Sequence, residues 1–235
     1  MIYKFLPILM LFLMSFSTRN SVEKKALIAS KDESISLIIK IETIYNSLDS
    51  NNYSLPQISC FQKAMVGFYS LKSKGLIQKD IITVIDFSLS STKKRMWVID
   101  LNSNKVLFNT LVAHGMNSGG EFANKFSNSP NSNRSSLGFY TTGETYAGKH
   151  GLSLKLDGQE RGINSNARSR AVVMHGADYA NPSILRSQGF LGRSQGCPAI
   201  PESCKKEVIR TIQGRSCIFI YHPSKSYEIA SKLVS

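Results

Sequence analysis

The chain has 235 residues, 42% of them hydrophobic and 9% aromatic, enough to bury an ordinary core. That composition excludes a fibrous, low-complexity or disordered protein, and the length suits one domain with an appendage or two small ones. Lys and Arg number 29 against 16 Asp and Glu, a formal charge of +13. Such a surplus suits a polyanionic surface or plain solubility. The basic residues are scattered, with no aromatic-interleaved strip and no nucleic-acid motif, so no nucleic-acid partner is expected.

In chain order, Lys4 gives a short basic start and Phe5 to Phe16 an apolar run. Ser15-Phe16-Ser17 then forms a small-x-small cleavage pattern. Residues 1–17 are read as a secretory signal, which predicts export to the periplasm or cell envelope. The run is shorter than the roughly 20 apolar residues of a spanning helix, so membrane contact is expected only through an uncleaved signal. Residues 18–79 are expected to form a helical N-terminal region. Ile35, Leu37, Ile38, Ile41, Ile44, Tyr45 and Leu48 recur at helical spacing. After the break SNNYSLP, a second helix over Ser59–Leu71 presents Phe61, Ala64, Met65, Phe68 and Leu71, with Gly75 as its stop.

From Asp80 the pattern turns to strands, so residues 80–235 are expected to form a mostly β domain. IITVIDFS, RMWVIDL and KVLFNTLVA are rich in β-branched and aromatic residues and read as a three-strand meander, with Trp97 in the core. The Gly/Ser/Asn-rich loop from Gly115 to Ser136 is too long for a passive connection, which predicts a functional or moving segment. LGFYTT, LSLKL and AVVMH follow as short strands. A helix from about Glu202 to Gln213 and a last strand, SCIFIYH, close the domain.

Two segments carry chemistry: VVMHGADY, with His175, and GRSQGCPAIP, with Cys197. His175 precedes Cys197 by 22 residues, and each sits where a strand would end in a Gly-containing turn. A thiol nucleophile needs a base, and imidazole titrates near neutral pH. The attacked carbonyl needs N–H donors, for which the backbone around Gly196 is the candidate. Of the other cysteines, Cys217 in SCIFIY reads as a buried small hydrophobe. A zinc reading through His114, His150, His175 and a cysteine has wide, irregular spacings and no HxxxH or CxxC, so no metal or cofactor is expected.

HG followed by S-x-G-C resembles the catalytic motif of the L,D-transpeptidase (YkuD-like) family, with Ser194, Gly196 and Cys197 on matching positions and His175 on the family base. SSLGFY resembles that family's Thr-Pro-x-Gly-x-Phe strand. The succession from TVIDFS through VAHGMNSG, SSLGFY, GETYAGKHGLSLKLDG and MHGADY to LGRSQGCPAIP is similar to murein L,D-transpeptidase catalytic domains, over about residues 80–222. Gln195 replaces the motif His, and Pro198-Ala199 follow the Cys where the family has an apolar residue and then Asn or Arg.

The resemblance implies a β-sandwich or barrel-like catalytic fold and a peptidoglycan stem-peptide substrate. It implies a thioester on Cys197 passed to an amine, giving an L,D cross-link. Water as acceptor would make a carboxypeptidase instead, and a non-catalytic wall-binding protein of the same fold is the third reading. Ser194, Gln195, Gly196 and Asp178 are expected to support the pair, and His114, Tyr140, Arg170 and Arg193 to meet substrate. The order His then Cys fits neither papain-like enzymes nor the caspase spacing.

Overall fold

A computed structural model describes residues 32–234. The signal expected over residues 1–17 lies outside them. A helix, α1, runs through residues 32–46. The chain divides into two units at residue 43, and the second, Ile44–Ser235, carries everything that follows.

That unit is built on one eight-stranded sheet. Its strands are β1 (Ile81–Asp86), β2 (Met96–Asp100), β3 (Lys105–Thr110), β4 (Gly138–Gly148), β5 (Gly151–Gly158), β6 (Val173–Gly176), β7 (Ala199–Ile200) and β8 (Cys217–Tyr221), in the order β3-β2-β1-β8-β4-β5-β6-β7. The meander expected from the sequence is present as β1–β2–β3. The last strand inserts between β1 and β4, parallel to the first and antiparallel to the second. Its five residues are all buried, as are nearly all of β1 and β2, which is why these segments read as continuous apolar runs. Beyond β3 the chain returns to the opposite margin. Ala113 N–H donates to Ala199 O at 2.8 Å and Ala199 N–H to Ala113 O at 3.3 Å. This bridge turns the sheet into a near-barrel and covers both edges.

Helix α2 (Ile58–Ser73) buries Cys60, Phe61, Ala64, Met65, Phe68 and Leu71 against β1 and β8. Each large apolar side chain so buried contributes about 1.5–3 kcal/mol. Gly67 allows the close approach, since a Cβ there would lie 2.0 Å from Phe139 Cζ. Helix α3 (Pro182–Gln188) was not expected from the sequence, and it buries none of its residues, so no apolar stripe announced it. Helix α4 (Glu202–Ile212) packs Val208, Ile209 and Ile212 behind β5 and β6. Helix α5 (Lys225–Ala230) follows the last strand, with Ser224 capping Tyr227 N–H. Trp97 and Cys217 are buried as expected. Among the described residues no helix is long and apolar enough to cross a membrane.

The long Gly115–Ser136 segment is stitched down along its length. It holds a short 3-10 turn, Met116–Ser118. Gly115 N–H donates to Ser135 Oγ, Ser135 N–H to Ser118 Oγ and Asn117 N–H to Asn133 O, at 2.9–3.0 Å. Its abundant serines and asparagines are the acceptors that an irregular backbone needs.

Candidate active site

Strands β6 and β7 are short and parallel, with His175 opposite Ala199 and Gly176 opposite Ile200. Continuing that register backwards sets Cys197 beside Val173. The Cys197 sulfur, partly exposed, accepts Val173 N–H at 3.4 Å, and the thiol donates to Ala171 O at 3.7 Å. Ala171 reaches this position with φ +54°, a left-handed conformation that a non-glycine residue adopts at some cost. Burial pushes the Cys197 thiol up, while Val173 N–H and the charges of Arg170 and Lys149 pull it down.

His175 is buried, only 3% exposed. Its Nδ1 sits 2.8 Å from Gly176 O, and a carbonyl can only accept, so Nδ1 carries the hydrogen and Nε2 the lone pair. The ring of His150, at the tip of the β4–β5 hairpin, stacks on it with centroids 4.2 Å apart and planes 22° apart. Burial lowers the pKa of His175 from its ordinary value; His150 and Lys149 push the same way, against the Gly176 bond and Glu202. Both shifts favour the uncharged forms, a neutral imidazole at His175 and a protonated thiol at Cys197.

The turn before Cys197 is held from both sides. Ser194 Oγ accepts Gly196 N–H at 3.0 Å and donates to Cys197 O at 2.6 Å. Ser135 Oγ donates to Gly196 O at 3.1 Å. Gly196 has φ +123°, and a Cβ there would meet Arg134 O at 2.8 Å, so the turn admits glycine alone without strain. With Gly196 N–H taken by Ser194 and Pro198 lacking an N–H, Cys197 N–H is the donor without a partner among the described residues.

Of the other expected residues, Ser194 is buried in this turn and Gln195 is exposed next to it. Asp178 does not orient His175: it is exposed, and its carboxylate accepts from Asn181 at 3.3 Å, because the Gly176 carbonyl already holds Nδ1. Tyr140 is not a groove wall. Its ring is fully buried in β4 and its hydroxyl is bonded to Ser136 at 2.7 and 2.9 Å. His114 is also out of reach of substrate, 1% exposed and fixed at both nitrogens by Arg95 (2.8 Å) and Gly119 O (3.4 Å). It carries the site indirectly, since its carbonyl accepts Ser194 N–H at 2.9 Å. Arg193 is exposed, with its guanidinium over the Phe190 ring. Arg170 is half-buried, and four of its N–H groups go to Ser127 O, Ser132 Oγ, Arg134 O and Ser136 Oγ.

Sequence reasoning named His150 in the zinc reading and otherwise as a residue that lines the cleft or fixes a turn, and it gave no site role to Ser135, Arg95 and Tyr179. Tyr179 is half-buried, and burial together with the nearby Cys197 raises its pKa. His150 had one usable signal, a histidine followed by glycine in KHG, the same local form as His175. The serine and the buried arginine had none. Among the described residues no group of three or more His, Cys, Asp or Glu is placed to hold a metal ion.

Comparison with known proteins identifies the frame. Residues 53–221 match the family described as the L,D-transpeptidase catalytic domain. No curated protein matches the sequence significantly. Similar solved structures include an L,D-transpeptidase from Mycobacterium smegmatis, at 13% identity and a TM-score of 0.38 over 61% of this chain and 59% of that one. The helical cell shape determining protein Pgp2 from Campylobacter jejuni is similar at 14% identity, TM-score 0.40, over 77% of this chain and 62% of that one. A third, an L,D-transpeptidase from Xylanimonas cellulosilytica, is similar at 8% identity, TM-score 0.37, over 79% and 93%. The chain thus spans about three fifths of the length of the first two.

Proposed function

This chain belongs to the L,D-transpeptidase catalytic-domain family, and from that premise we propose that it is an exported cysteine acyltransferase acting on peptidoglycan stem peptides. The observation that carries the proposal is the placement of Cys197, two residues before β7 and bonded through its sulfur to Val173 N–H, two positions along β6 from His175, whose tautomer is fixed by Gly176 O.

The geometry suggests the following chemistry. His175 Nε2 takes the proton of the Cys197 thiol, and the sulfur attacks the carbonyl carbon between the L-centre of the diamino acid and the terminal D-alanine. Negative charge gathers on that carbonyl oxygen, within reach of Cys197 N–H. The protonated His175 returns its proton to the departing D-alanine nitrogen, the C–N bond breaks, and a thioester on Cys197 remains. An amine of a second stem then attacks the thioester and loses its proton to His175. The new amide is the L,D cross-link, and the thiol is regenerated. The positive charge of the chain suits the anionic wall on which such an enzyme works.

The test is mass spectrometry of tetrapeptide muropeptides incubated with the protein and with its Cys197→Ser variant. Cross-linked dimers that have lost one D-alanine, formed only by the wild type, are the expected result. Tripeptides alone would mean that water is the acceptor and the enzyme a carboxypeptidase. No change with either protein would leave a wall-binding protein.

A further inference from the structure

Arg170 has an arrangement that a substrate-binding arginine would not have. Its guanidinium points into the protein, and both terminal nitrogens are consumed by neutral acceptors of the Ser127–Ser136 segment at 2.7–3.3 Å. No carboxylate pairs with it among the described residues, although Arg168, two positions earlier, is paired with both Asp157 and Glu144. A half-buried cation without a counter-ion has lost part of its hydration, and burial accordingly lowers its pKa. The anion that would complement it lies next to it. A Cβ on Gly196 would be 3.4 Å from Arg170 Nη2, and Gly196 precedes the nucleophile. Residues 170–173 then run directly under the sulfur: Ala171 O receives the S–H and Val173 N–H faces the sulfur itself.

We infer that Arg170 is a positioning residue for the nucleophile: it anchors the Ser127–Ser136 segment over the Gly196 turn and supplies the fixed positive charge that favours the Cys197 thiolate. Ala171 O stabilises the protonated sulfur, and Val173 N–H with Arg170 stabilises the ionised one, so the 170–173 segment accommodates both forms without rearrangement. The other ionisable groups that act on Cys197 are exposed Lys149 at the hairpin tip and Tyr179 in the 3-10 turn after β6, while His175 lies on β6 two positions from Val173, whose N–H meets the sulfur. Lys149 is exposed and solvent-screened, which leaves Arg170 as the cation of largest expected effect. The inference rests on Cys197 being the nucleophile of the reaction proposed above.

The experiment is the pH dependence of iodoacetamide alkylation at Cys197, followed by peptide mass spectrometry in the intact chain, with circular dichroism confirming each fold. Arg170→Gln and Arg170→Met are expected to move the thiol midpoint upward by about one unit, a roughly tenfold lower thiolate fraction at neutral pH. Arg170→Lys keeps the charge and is expected to shift the midpoint far less while losing thermal stability, because an ammonium cannot reproduce the fork. Lys149→Gln is expected to shift it least. An unmoved midpoint in whichever neutral variant folds would overturn the inference, and so would an equal shift in the lysine variant. Alkylation reads the thiolate without any muropeptide. A wild type that alkylates in this way yet cross-links nothing would therefore sink the proposed reaction and leave the assignment of Arg170 standing.

Discussion

Two of the three His-Gly dipeptides of this molecule are used oppositely. His114-Gly115 follows β3 and His175-Gly176 ends β6. Both imidazoles are buried, and burial is the first cause that lowers the pKa of each, that of His114 to about 4. What separates them is the second nitrogen. Arg95 donates to His114 Nδ1, so His114 must offer Nε2–H, which points at Gly119 O; nothing is left for chemistry. His175 gives Nδ1–H to its neighbour's carbonyl, and Nε2 keeps its lone pair, as the proposed base requires. A buried histidine is thus structural or reactive according to how many of its nitrogens the fold has taken, and burial alone does not distinguish the two.

The comparison breaks most sharply at the reactive end. Cys197→Ser is expected to abolish cross-linking, and His175→Ala to lower its rate by about 10²–10⁴. His114→Gln should leave the acid limb of the pH–rate profile in place. A loss as severe in His114→Gln as in His175→Ala would show that the two regions had been assigned wrongly.

The structural end is tested next through Arg95. This guanidinium is fully buried, donates to Val112 O, Leu89 O and His114, and stacks on Phe87 at 4.8 Å. Its pKa, lowered by burial to about 9, still leaves it charged at neutral pH, with Asp86 as the opposing charge. Arg95→Met would strip a donor from the buried Val112 O and His114 Nδ1 and from the part-buried Leu89 O, and would remove one of the positive charges facing Asp86. A destabilisation of about 3–5 kcal/mol is expected in urea unfolding. A variant as stable as wild type would remove the structural reading of the His114 region.

The pH dependence of stability sharpens the same contrast. His114 has a folded pKa near 4 against an ordinary value of 6.5, with burial as the main cause and the Arg95 charge as the second. Unfolding therefore takes up a proton as pH falls below 6.5, and stability is lost progressively from about pH 6.5 to about pH 4, by about 3 kcal/mol in total. His114→Gln keeps an acceptor for Arg95 and should flatten that part of the curve. An unchanged slope between the two pH values would count against a neutral, buried His114.

The smallest effect is expected at His150. His150→Ala would uncover the face of His175 and raise its pKa toward the ordinary range, moving the acid limb of cross-linking upward by less than about one unit. His150→Phe keeps the stack and should restore most of the wild-type profile. If alanine and phenylalanine gave the same profile, the stacked ring would have no influence on the base.

Much of this is legible in the amino-acid sequence. β1, β2 and β8 announced themselves as β-branched and aromatic runs, and α2 by the spacing of Phe61, Met65, Phe68 and Leu71. Cys197 and His175 stood out through their glycine-rich surroundings and the family motif. The misread residues share a cause. Tyr140 and His114 are polar residues in strand-like or strand-end positions, and a sequence does not say whether a polar side chain faces a groove or a buried partner. Asp178 was a plausible support for His175, but the nearer acceptor was a main-chain carbonyl, which every residue has and no sequence advertises.

The sequence by itself determined the periodicities, the glycine that the turn before Cys197 requires, and the two side chains able to act as nucleophile and base, because each of these depends on local sterics or on the chemistry of one residue. Tertiary structure alone decided that β6 runs parallel to β7, that Arg170 and Ser135 close on the Gly196 turn, and that one His-Gly is locked at both nitrogens while the other keeps a lone pair. Apart from the local Gly176 and Gly119 carbonyls, these partners lie 19 to 61 residues away along the chain, and a hydrogen bond is directional and short. Which groups meet is fixed by strand register and loop closure over the whole sheet, and no local segment contains that information.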